Sequence, residues 1–179
     1  MAQLSAALEP IPEQPIEVRV YSDDMLFPGV SFIQGQRIPP FPAGMEDNRP
    51  MIAALVVSDR DTVLVGNMKD LPVAWEVFQD RTVPGNWTEL DRLLKFLDYT
   101  GRLSDAQIKR SPQDVAGESF KDTTRIGSIA PPSERNFPDR AVVRLFASGR
   151  PGIIQYDFIM STEGLNIEEE LIAEYRLRF

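Results

Sequence analysis

Ile16, Val18 and Val20 alternate with Glu17 and Arg19, the period-two signature of a half-buried strand. Residues 30–33, set between Pro28-Gly29 and Gly35, read as a second short strand. The apolar runs 51–57 and 63–65 are separated by Ser58-Asp59-Arg60-Asp61, a spacing that predicts a hairpin. Residues 71–78 read as a further strand with Val73, Trp75 and Val77 on one face. The period then changes. Leu90, Leu93, Leu94 and Leu97 fall at i, i+3, i+4 and i+7 and predict an amphipathic helix over residues 88–99. Thr88 is its N-cap with Asp91 three residues on, and Gly101 is its stop. Ser104 with Gln107, and Ser111-Pro112 with Asp114, repeat the capping pattern and predict short helical turns. Beyond them Ala141, Val143, Leu145 and Ala147 alternate, a turn cluster follows at 148–152, and Ile154, Tyr156, Phe158 and Met160 alternate again: an antiparallel hairpin. Over residues 167–179, Asn166 with Glu169 is compatible with a helix start. The alternation of Leu171, Ala173, Tyr175, Leu177 and Phe179 favours a strand.

Strands that are not interleaved with helices argue against a doubly wound parallel sheet. The expected fold is mainly β, an antiparallel barrel or sandwich with one amphipathic helix at 88–99 and short helical turns. Eight of the fifteen prolines lie in the first fifty residues. Residues 1–15 therefore read as an extended, Pro-containing arm, residues 38–50 as a Pro-rich loop, and residues 16–179 as a single β-rich domain. A length of 179 residues suffices for a core without disulfide or metal staples.

The chain has no Cys and no His. That excludes thiol and imidazole nucleophile pairs, disulfides and Cys- or His-ligated metals. No phosphate-binding, dinucleotide-binding, nucleophile-elbow or zinc-protease motif occurs. The remaining acid pairs are Asp23-Asp24, Asp59/Asp61 and the glutamates 168–170. Asp59 and Asp61 are oxygen donors that a hairpin loop could offer to Ca²⁺, although a solvated turn accounts for them more simply. Asn86-Trp87-Thr88 is formally a glycosylation sequon, with Thr88 already explained as a cap. No cofactor is expected. Residues that could form an interaction surface are Phe41, Trp75, Trp87, Arg144 and Tyr156. The net charge is −8, yet residues 101–150 carry nine bases against six acids. Lys109, Arg110, Lys121, Arg125, Arg135, Arg140, Arg144 and Arg150 are there interleaved with acids, which reads as a solvated mixed surface far better than as a nucleic-acid patch. The longest apolar run, 51–57, is too short to span a membrane, and the first residues do not read as a secretory signal.

The segments AVVRLFAS at 141–148, Pro151-Gly152, IIQY at 153–156 and AEYRLRF at 173–179 resemble the closing strands of the protruding domain of calicivirus-like capsid proteins. The resemblance covers about the last 40 residues and implies a β-rich, dimerising, non-enzymatic surface domain of a small virion. In that family a helix lies between the first two of these strands, whereas here the helix precedes both, and no receptor-binding motif carries over. The function expected is a non-enzymatic structural or binding domain that self-associates, as a homodimer, on the surface of a virion if the resemblance holds and otherwise in the cytoplasm. The alternatives are a carboxylate-based hydrolase or carbohydrate-binding β module, with Asp23, Asp24, Asp59 or Asp61 beside Trp75 or Tyr156, and an intracellular adaptor whose basic region takes an acidic partner.

Overall fold

The computed structural model describes residues 16–37 and 51–176. The arm 1–15, the loop 38–50 with Phe41, and residues 177–179 lie outside the described residues. The chain is mainly β, with two antiparallel sheets that both remain open among the described residues. It divides into two compact units. The first takes the residues up to 87 together with 94–102; the second takes 88–93 and the residues from 103 onward.

In the first unit, β1 (Glu17–Ser22), β2 (Ser31–Arg37), β3 (Met51–Val57) and β4 (Thr62–Val65) form a sheet in sequence order. The register places Tyr21, Phe32, Val56 and Val63 in one cross-strand row and Val20, Ile33, Leu55 and Leu64 in the next, on the opposite face. The opposite face carries a smaller buried cluster around Ala53 and Leu55, and the first face the aromatic core. Phe27, Phe32, Phe78 and Phe96 pack edge to face there at centroid separations from 4.9 to 6.4 Å. Such ring pairs each add about 0.5–1.5 kcal/mol beyond the area they bury. The predicted β3–β4 hairpin is present, and the Ser58 hydroxyl accepts from the N–H groups of Arg60 and Asp61 to shape its turn.

Two expectations are corrected in this unit. Residues 71–78 are not a strand: α1 (Leu71–Glu76) is a helix that follows a short 3₁₀ turn, Met68–Asp70. Asn67 accepts from Lys69 N–H, and Asp70 reaches back to the N–H groups of Gly66 and Asn67. Pro72 occupies the first turn, where no N–H is needed. Leu71, Ala74, Trp75 and Phe78 then bury one helical stripe, whereas Val73 faces solvent. The second correction is that β1 is not half-buried. It is an edge strand whose valines stand on the face away from the aromatic core, with Val18 38% and Val20 65% exposed.

The predicted helix is α2 (Glu89–Tyr99). The Thr88 hydroxyl accepts from Asp91 N–H at 3.1 Å, and Asp91 accepts from Thr88 N–H at 3.1 Å, so the capping box closes as read. At its other end Gly101 N–H donates to Asp98 and Arg102 N–H to Leu97, the paired bonds of a Schellman stop. Gln34 on β2 donates its side-chain amide to the carbonyls of Asp98 and Tyr99, and the Arg102 guanidinium donates to the carbonyls of Ile52, Gly66 and Thr100. The 3₁₀ turns Asp105–Gln107 and Pro112–Val115 stand where the capping signals put them.

In the second unit β5 (Ile108–Lys109) and β6 (Ser133–Asn136) both pair with β7 (Arg140–Ser148), which is followed by β8 (Gly152–Ser161) and β9 (Gly164–Glu174). Val115, Phe120, Ile129, Phe146, Ile153, Ile172 and Ala173 form a core cluster. The C-terminal region is a strand, as its alternation predicts, but it begins earlier, and glutamates 168–170 lie within it. The strict alternation is broken once. Ile153 faces Ala173 while Ile154 faces Leu171, so Ile172 is the extra residue of a bulge. Ile172 and Ala173 are consequently both buried, and Leu171 is exposed.

Candidate interaction cleft

The solvent face of the second sheet is built by parity. Ser133 and Arg135 of β6 stand beside Arg144 and Val142 of β7, which stand beside Asp157 and Ile159 of β8. The Phe137–Arg140 turn, closed by Phe137 N–H donating to the Arg140 carbonyl at 2.8 Å, sets Phe137 and Arg140 at the end of these rows. Together with Glu168 of β9 these residues line a cleft of about 460 Å³.

The three arginines of the cleft have different electrostatic surroundings. Arg144 makes a two-pronged pair with Asp157, Nε to Oδ1 at 2.7 Å and Nη2 to Oδ2 at 2.6 Å. That pair holds the guanidinium pKa above its ordinary value. Gln155 donates to the same carboxylate at 3.3 Å. The Arg140 guanidinium carbon lies 5.2 Å from the Phe137 ring centroid, with Asp139 at 3.8 Å. Arg135 is exposed and has no carboxylate within ion-pair distance among the described residues. Arg135 and Arg140 thus offer guanidinium forks beside an apolar floor of Val142, Ile159 and Phe137, a combination suited to carboxylates carried on a partly apolar segment.

Of the residues read from sequence as a possible surface, Arg144 lines this cleft and Trp87 is 47% exposed elsewhere. Trp75 and Tyr156 are corrected: at 2% and 6% exposure they belong to the cores of the first and second units. Trp75 meets Phe78 and Phe96 edge to face, and Tyr156 lies against Phe158. Arg135 and Arg140 enter the sequence reading only as members of its basic stretch, and Phe137 carries no surface signal there. The local excess of bases pointed to their region. The hairpin that places all three on one face shows only once β6 is recognised as a strand.

Several acids of the candidate pairs are held by partners. Asp23 accepts from Met25 and Leu26 N–H, Asp24 from Gly29 N–H, Asp59 pairs with Arg81, and Glu170 with Arg125 at 2.8 Å. Among the described residues no group of three or more acids gathers where it could hold a metal ion. No described helix is long and apolar enough to cross a membrane.

Burial, and to a lesser degree the Glu169 carboxylate, pushes the Tyr156 phenol up to about 12. A raised folded-state pKa contributes stability that is complete below the ordinary tyrosine value of about 10 and is lost as pH rises through 12. Between those limits the wild type is expected to lose on the order of 2 kcal/mol that a Tyr156→Phe variant keeps. Urea unfolding of both proteins from pH 9 to 12 checks this; parallel stability curves would refute it.

Of the segments that carry the capsid resemblance, 141–148 falls on β7 and 153–156 on β8, and Ala173 and Glu174 close β9, while 177–179 lie outside the described residues. No family model, no curated protein and no solved structure matches this chain.

Proposed function

We propose that this protein is a non-catalytic binding domain whose working surface is the cleft on the second sheet, and that it takes an acidic, partly apolar segment of a partner protein. One observation carries the reading: in a chain of net charge −8, Arg135, Arg140 and Arg144 gather with Phe137 on one solvent-facing surface. Charge complementarity of this kind selects partners and speeds encounter. Aromatic and arginine side chains are the residue types that most often dominate protein contacts.

The test uses the full chain and two labelled peptides, one with glutamates flanking a phenylalanine and one with glutamines in their place. The acidic peptide is expected to bind, and more weakly as salt is raised. The Arg135→Ala, Arg140→Ala double variant is expected to lose at least about tenfold in affinity, with unchanged circular dichroism, since two exposed charged hydrogen-bonding groups are removed and Arg144–Asp157 is left intact. Equal binding of both peptides, or an unaffected double variant, would overturn the proposal.

A further inference from the structure

We infer that two copies of this chain associate by pairing their β1 edges antiparallel about a two-fold axis at Val18, each Glu17 facing the other copy's Arg19. The inference rests on the first unit alone and is independent of the cleft.

The sheet ends differ in what they offer a second copy. In the first sheet β4 has four residues and β1 has six. In the second, β9 ends in a bridge between Phe120 and Tyr175, and its remaining edge carries Glu168, Glu169 and Glu170 in succession. A like-charged run opposes pairing with itself. Among the described residues, β1 has a partner on the β2 side only. Its sequence EVRVYS alternates an acid, a valine, a base and a valine.

Symmetry then restricts the register. A two-fold antiparallel pair that keeps both sheet faces continuous must place some residue opposite itself, because a one-residue slip would turn every side chain to the wrong face. Centring on Arg19 sets two guanidinium groups against each other. Centring on Val20 puts Arg19 opposite Tyr21 and leaves Glu17 outside any charge pair. Centring on Val18 sets Glu17 opposite Arg19 twice on one face, and Ile16 opposite Val20 twice on the other, with Val18 against Val18. Both faces are then self-complementary.

The monomer geometry prepares for this exchange. Glu17 and Arg19 stand on one face as an exposed pair at 3.2 Å. Each can turn from its own strand to the neighbouring copy's without changing faces. On the opposite face Ile16, Ile33, Val57 and Leu64 pack against Ala53 and Leu55, and this apolar surface runs out to the exposed Val18 and Val20 at the sheet edge. Pairing carries it into the second copy and covers both valines on their edge side. It also satisfies the outward backbone groups of β1, the general basis of recognition by strand addition.

Sedimentation equilibrium of the full chain across a concentration series is the test. The wild type is expected to form a dimer. Glu17→Arg alone and Arg19→Glu alone each set like charges opposite one another and are expected to weaken it at least tenfold. The double variant carrying both exchanges restores opposite charges and is expected to recover it. Val18→Lys, which places two ammonium groups at the axis, is expected to leave a monomer whose circular dichroism matches the wild type. Arg135→Ala with Arg140→Ala is expected to leave the dimer unchanged. A wild type that stays monomeric up to about 1 mM overturns the inference. So does a dimer that survives Val18→Lys, or a double exchange that fails to recover association.

Discussion

Replacing Gly152 with alanine is expected to cost about 3 kcal/mol of folding stability or more. Gly152 opens β8 opposite Glu174, and a Cβ at this position would run into the carbonyl group of Ala173 and lie 2.9 Å from the Glu174 Cα. The obstruction is backbone, so no side-chain rotation relieves it, and β9 must move away where it also carries the bulge at Ile172. The damage reaches the cleft through register. Asp157 and Glu168 are partners in the same β8–β9 ladder, and a slip of one residue would exchange cleft-facing and core-facing side chains. Gly127→Ala is the control. A Cβ there meets nothing within 4 Å, and the variant is expected to unfold within about 0.5 kcal/mol of the wild type. Urea midpoints measured on both variants, with the peptide affinity of the cleft, check the prediction; a Gly152→Ala protein as stable as Gly127→Ala would disprove it.

Gly101→Ala is expected to destabilise the first unit by about 2–4 kcal/mol. Gly101 ends α2 at φ +68°, a left-handed conformation that costs an L-residue with a Cβ. Space is short as well: the new Cβ would collide with the Ile52 side chain and lie 2.9 Å from the Gln34 Nε2. That amide donates to the carbonyls of Asp98 and Tyr99, so pushing it aside removes the side-chain part of the cap on this helix end. The expected signature is a lowered urea midpoint with far-ultraviolet circular dichroism retained in water. Full stability in this variant would mean that the Schellman stop contributes little.

Local chemistry was enough to read much of this fold. Thr88 with Asp91, Ser104 with Gln107 and Ser111 with Asp114 are contacts between residues three apart, and each formed where the spacing put it. The β3–β4 and β7–β8 hairpins followed from apolar runs broken by short polar or Gly/Pro turns. Residues 71–78 misled because Val73, Trp75 and Val77 satisfy period two while Leu71, Ala74, Trp75 and Phe78 satisfy a helical stripe. The aromatic cluster around Phe32, Phe78 and Phe96 settles which stripe is buried. The cleft was half legible. The excess of bases in residues 101–150 is a property of sequence, but the meeting of Arg135, Arg140, Arg144 and Phe137 depends on β6 finding its place beside β7.

The absence of thiol and imidazole chemistry, the antiparallel β character, and the caps and turns are legible in the chain alone, because each depends on composition or on groups a few residues apart. Which face of each strand is buried, that β1 is an exposed edge, that Trp75 and Tyr156 are core residues, and that three arginines share one surface emerge from the folded chain. Those outcomes depend on contacts between residues far apart in the chain, where local pattern leaves several pairings open and the burial of apolar area selects among them.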